Sequence, residues 1–208
     1  QVAAIETGDL VKLGSDQFGA LTATQIKGLT TDQMKALTTD QTAGLNATLI
    51  KGLTTAQVQA LSSDIIKELS SSQVQGLTAA QVQAMTTEQL ANIETEDLAA
   101  MSAAQIKGLK SDQIVALTSD QVKTLASADF ALLSSGQIGA LTTAQLSVVT
   151  TAQLSALDSS QLGGLTTAQI KVLDTAQLNT LDGKLSTLKT SQIAALTTDQ
   201  LDSLSTAD

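Results

Sequence analysis

The chain has 208 residues and contains no Cys, His, Pro, Trp or Tyr. Its eleven basic residues are all Lys, and its two aromatics are Phe18 and Phe130. Each absence removes a class of chemistry. Without His or Cys there is no imidazole base, no thiol nucleophile and no imidazole or thiolate metal ligand. Without Cys there is no disulfide framework, and redox compartment leaves no mark on the sequence. The net charge is −9, with twenty acids against eleven lysines. Neither a basic stripe nor an aromatic stacking platform is present, which argues against a nucleic-acid partner. No apolar run approaches the roughly 18 residues that a membrane span needs.

What is present is a narrow alphabet that is 42% hydrophobic. An alphabet this restricted points to an internal repeat. Aligning on the large apolar residue gives Ile5, Leu13, Leu21, Leu29, Leu37, Leu45, Leu53 and so on to Leu173 and Leu181, a spacing of eight throughout. The unit reads L-T-T-x-Q-[ILV]-x-[AG], and octads run in phase over 5–180. Position 6 is nearly as strict as position 1 (Leu10, Phe18, Ile26, Met34, Ile50, Val58, continuing to Leu178), with Thr42 the one exception. A seven-residue unit follows at 181–187 and contains Gly183; octads resume over 188–203. Partial repeats occupy 1–4 and 204–208. The whole of 1–208 therefore reads as a single repeat array, with a kink or phase change expected at the short unit.

Eight residues advance a continuous helix by about 800°, roughly 80° beyond two turns, so an apolar stripe of this period would wind around it. A strand fails as well, because positions 1 and 6 have opposite parity and would face opposite sides of a sheet. The chain must break and restart in every repeat. The restart signal is a capping box, as in Thr30-Thr31-Asp32-Gln33, Thr54-Thr55-Ala56-Gln57 and Thr142-Thr143-Ala144-Gln145. There the hydroxyl accepts the N3 amide, and the Gln side chain reaches back to the N-cap amide. Gln fills position 5 in 17 of the 22 unbroken octads. Acids collect at position 4 (Asp32, Asp40, Glu88, Asp112, Asp120), in the first turn, where the helix dipole favours them.

Each helix should start near position 3 and last one or two turns. Helices that short are marginal alone, so positions 6 and 1 must be buried against neighbouring units, and a small residue at position 8 lets backbones approach. The expected fold is all-α: a solenoid, or superhelix, of very short helices, one per eight-residue repeat. Lysines sixteen apart at position 7 (Lys35 and Lys51, Lys51 and Lys67, Lys107 and Lys123) hint at a two-octad unit.

No residue set stands apart from this background as a site, so no catalytic, cofactor-binding or metal-binding residue is assigned and no enzyme activity is expected. The Thr-Thr pairs read as caps and helix starts. The Gln ladder reads as capping, since Leu49 and Ile65 replace Gln within intact octads and Asp9, Asp97 and Asp129 replace it elsewhere. Glu94, Glu96 and Asp97 form an acidic cluster, but neither an EF-hand nor a Gly-rich calcium loop surrounds them. The partial repeats at both ends lack polar caps. They read either as cuts from a longer array or as surfaces for head-to-tail self-association, and the non-Met start is consistent with a cleaved signal peptide.

The octads resemble the Leu-Thr-Thr-x-Gln-Leu-type repeat tracts of very large bacterial secreted or cell-surface proteins, over nearly the whole chain. The resemblance implies an extracellular stalk, adhesin-like or fibre role and carries no catalytic residue with it. The expected function is a structural spacer, stalk or filament subunit. The alternative is a binding module that presents a repetitive Thr/Gln surface to a peptide, a glycan or ice.

Overall fold

The computed structural model describes residues 2–181 and 183–204. Parts of the short unit and of both partial repeats thus lie outside the described residues. Among those described there are 24 α-helices of four to six residues, from Thr7–Leu10 to Thr198–Ser203, two 3-10 turns and no strand. The fold is the expected solenoid of very short helices.

The breaks between helices are made by extended backbone rather than by left-handed residues. Thr54 (φ −75°, ψ 159°) and Thr142 (φ −69°, ψ 158°) are extended N-caps, and Leu53 and Leu77 end their helices in the same region. Among the described residues only Gly183 has a positive φ, at 75°. Each octad is thus a short helix joined to the next by residues at positions 1 and 2, which any side chain can occupy.

The chain divides into two compact units, Gln1–Leu109 and Lys110–Asp208. Within the first, every helix packs on the third helix along the chain, which sorts the octads into three columns. One column holds Ala23–Lys27, Ala47–Gly52, Ser71–Gly76 and Thr95–Ala99; a second holds Thr31–Lys35, Thr55–Ala60, Ala79–Ala84 and Ala103–Lys107. The third holds Ser15–Gly19, Thr39–Thr42, Ser63–Lys67 and Thr87–Ala91. The second unit has the same order, as in Ser119–Thr124, Thr143–Ser147, Thr167–Lys171 and Thr190–Ile193. One turn is therefore three octads. This corrects the two-octad hint: Lys35 and Lys51 fall in different columns, whereas Lys27 and Lys51, 24 residues apart, share one. Lysine spacing on an exposed edge is not held by packing and carries no record of the turn.

Positions 6 and 1 form the core. Both aromatics, Phe18 and Phe130, sit at position 6 and are fully buried, as are Ile26, Val74, Ile114 and Leu146. At several octads the position-8 glycine lies against the turn below. A Cβ on Gly76 would meet the backbone and side chain of Ala47 at 2.9 Å, and one on Gly44 or Gly164 would collide with the carbonyl of Ser15 or Ser135. The small residue is required there by close approach, not by its φ.

Candidate functional site

The most regular polar feature of the molecule is inside it. From Gln33 onward most position-5 glutamines are buried, with exposures of 1% at Gln41, Gln105, Gln153 and Gln169. Each uses both ends of its amide. In the octad of Gln57, Oε1 accepts the N–H of Thr54 at 2.8 Å, and the Gln57 N–H donates to the Thr54 hydroxyl at 3.1 Å. This is the capping box anticipated from the sequence. The other half of the amide reaches across to the turn below, where Nε2 donates to the carbonyls of Ile26 and Leu29, both at 2.8 Å. Gln81 does the same to Ile50 and Leu53, and Gln89 to Val58 and Leu61. In the second unit Gln153 bonds Val122 and Leu125, and Gln177 bonds Leu146 and Val149.

The two ends of a short helix explain why this works. A helix leaves its first N–H groups and its last C=O groups without internal partners, and in a helix of five residues those groups are most of the backbone. One glutamine satisfies an orphan N–H at the start of its own helix, pairs the position-1 carbonyl one turn earlier, and adds a second donor to the position-6 carbonyl, which already accepts a backbone N–H, as Ile26 does from Leu29 at 3.2 Å. A buried polar group left unpaired costs about 1–3 kcal/mol, so this single amide protects several such groups at once.

Reading the glutamines as caps found only the Oε1 half. A signal for the other half was present: a capping box accepts Glu as readily as Gln, yet no position 5 is Glu. Glu could accept the N-cap amide but has no N–H to donate to the turn below. The octads that lack Gln manage differently. Leu49 and Ile65 are buried apolar side chains, with Asn46 capping the N–H groups of Thr48 and Leu49, and Ser62 that of Ile65. Asp97 is buried and accepts a hydrogen bond from the hydroxyl of Ser71.

The acidic cluster is thereby divided. Asp97 faces the neighbouring turn, whereas Glu94 and Glu96 are exposed. Among the described residues no group of three or more acids is placed to hold a metal ion, and no helix is long and apolar enough to cross a membrane. Two hollows lie in the first unit. One of about 630 Å³ is lined by residues including Ala47, Lys51, Gly76, Ala79 and Gln105. Another of about 510 Å³ includes Thr39, Thr42, Asn46, Glu68 and Ser72. Both lie between successive turns, and each carries a single charged side chain.

Comparison with known families meets this geometry at its central motif. The ALTTAQ repeat matches residues 2–39, 11–47, 90–127 and 122–159, which together make up more than half of the chain. The chain belongs to the ALTTAQ repeat family. The defining hexapeptide occurs here verbatim as Ala140-Leu-Thr-Thr-Ala-Gln145, and the structure assigns each letter a task. In that ALTTAQ segment Ala140 is the small position-8 residue, Leu141 is core, Thr142 is the cap, and Gln145 ties the turn to the one below it. A comparison with the curated proteins gives no match.

Proposed function

We propose that this ALTTAQ array is a structural segment of an extracellular or cell-surface bacterial protein, serving as a spacer, stalk or filament subunit without catalytic activity of its own. The observation that carries this reading is the use made of the repeated polar side chains. The glutamines are buried and committed to the backbone of two successive turns, and the position-2 hydroxyls are committed to caps. A sequence that invests its recurring functional groups in its own scaffold is suited to setting a length, which grows by one turn for every three octads. In this reading the neighbours of the array are further octads, and nucleic acid is not a partner.

The alternative, a Thr/Gln surface for a peptide, glycan or ice, loses its glutamine half because those amides are turned inward. The test is where the array resides. Antibody raised to this segment should label the surface of intact source cells, and protease added outside should remove the label. Label confined to the interior of permeabilised cells would sink the reading.

A further inference from the structure

The chain has three asparagines, at 46, 92 and 179, and Asn46 differs from the other two. It alone opens an Asn-x-Ser/Thr triplet, Asn46-Ala47-Thr48, the acceptor pattern for an N-linked sugar. Two places beyond Asn92 stands Glu94, and two beyond Asn179 stands Leu181. The triplet also lies within reach of a modifying enzyme. Asn46, Ala47 and Thr48 are all exposed. Asn46 is extended backbone (φ −61°, ψ 163°) in the stretch that joins two short helices.

The fold uses only half of the Asn46 side chain. Its Oδ1 accepts the N–H groups of Thr48 and Leu49 at 3.0 and 3.1 Å and so caps the helix Ala47–Gly52. Its Nδ2 has no partner among the described residues, whereas Nδ2 of Asn92 donates to the carbonyl of Glu88 at 2.9 Å. Capping requires an oxygen alone, and Asn, Asp and Ser serve about equally well. Elsewhere that oxygen comes from Thr, as at Thr54, or from Asp, as at Asp158 and Asp174. No other position 2 is an amide. The nitrogen is therefore surplus to the cap, and it is the atom through which an N-linked sugar is attached.

A linked sugar leaves the cap intact, because Oδ1 keeps its lone pairs and Nδ2 gives up one hydrogen of two. The hollow of about 510 Å³ that Asn46 lines is bordered also by Thr39, Glu68, Ser70 and Ser72. Hydroxyls donate and accept, and a carboxylate accepts, so this border complements the hydroxyls of a sugar ring.

We infer that Asn46 is a glycosylation site, bearing an N-linked sugar whose first ring rests against this hollow. The donor is an activated sugar, a glycosyl phosphate ester, used by a glycosyltransferase. The bond from Nδ2 to the anomeric carbon forms as the bond from that carbon to the phosphate oxygen breaks. The phosphate leaves with the electron pair, and one amide proton passes to a base of the transferase. This goes beyond the spacer reading: the array carries a sugar at one fixed point on its first unit.

The experiment is mass spectrometry of the protein isolated from its source cells, read on the peptide that contains Asn46. The expected result is a peptide heavier by one or more sugar residues. Expressed in the same cells, Thr48→Ala should lose the added mass although Asn46 and its cap remain, and Thr48→Ser should keep it. Asn46→Asp should also lose it and leave circular dichroism unchanged, since Asp caps as well as Asn. An Asn46 peptide found solely at its unmodified mass, or added mass that survives Asn46→Asp or Thr48→Ala, would overturn the proposal. Peptide masses do not depend on where the array is labelled on cells, so failure here and failure of the surface reading are separable.

Discussion

The octad Leu141–Val148 and the seven-residue unit at 181–187 solve one problem with different parts. In the octad, Gln145 accepts the N–H of Thr142 at 2.7 Å and donates to the carbonyls of Ile114 and Leu117 at 2.8 and 2.6 Å. The short unit has no glutamine. Gly183 takes a positive φ, a 3-10 turn covers Leu185–Thr187, and Lys184 Nζ donates to the carbonyls of Ser155 and Leu157 at 2.7 and 2.9 Å. Lys has three donors and no acceptor. It can therefore serve the turn below but not the cap of a helix, and no α-helix starts there. The shortening also passes cleanly into the octads that follow. Gln153 reaches back 31 and 28 residues, whereas Gln192 and Gln200 reach back 30 and 27. Despite the changed count, the acceptors remain at positions 6 and 1 (Leu162 and Leu165, Ile170 and Leu173). Across this defect the solenoid keeps a donor delivered to two carbonyls one turn below, not a residue count. The expected phase change is thus absorbed within one unit.

Four substitutions break or sharpen that comparison. The largest effect should come from the position-6 burial that the octads have in common. Ile106 is 1% exposed, and Ile106→Asp would place a carboxylate among apolar neighbours at a cost of more than about 4 kcal/mol. Circular dichroism should record lost helix, and hydrogen exchange should localise the loss to adjoining turns, since repeat arrays unfold in parts. An unchanged melt would remove position 6 from the core.

A middle-sized effect should separate the two donors. Gln145→Ala strips a cap and two carbonyl partners at a buried site and should cost about 3 kcal/mol, whereas Lys184→Met removes donors from a half-exposed one and should cost about 1 kcal/mol. Chemical denaturation of both variants side by side measures the ratio, and equal losses would mean that the capping half of the glutamine is worth nothing.

The smallest effect is a gain. Thr42 is the one polar residue at position 6; it is 3% exposed, and its hydroxyl is buried without a hydrogen-bond partner. Thr42→Val, the residue found at Val58, Val74 and Val82, should stabilise the first unit by about 1 kcal/mol through removal of that unpaired group. A lower melting temperature would show that the hydroxyl is satisfied in solution.

Much of the architecture is legible in the sequence alone. The restart of the helix at Thr30, Thr54 and Thr142, the burial of positions 6 and 1, and the prevalence of small residues at position 8 all follow from hydrogen-bond geometry and periodicity within a dozen residues. The glutamines were legible only in part: their cap is local and was read, but their second bond lands about thirty residues away. The absence of candidate site residues from the sequence reading reflects the same repetition, which leaves no side chain set apart from its equivalents. Lys184 could not be singled out among eleven lysines, because its role depends on a carbonyl pair that the sequence does not place beside it.

By itself, the sequence determined the octad, its unbroken phase through Leu181, the cap, the short helix and the core positions, because each is fixed by interactions between residues a few places apart. Only the tertiary structure decided that three octads close one turn, why glutamine and not glutamate recurs at position 5, and that a lysine can take its place in a shortened unit. Those features depend on which backbone groups of one turn come within reach of the next, a distance that no local pattern encodes.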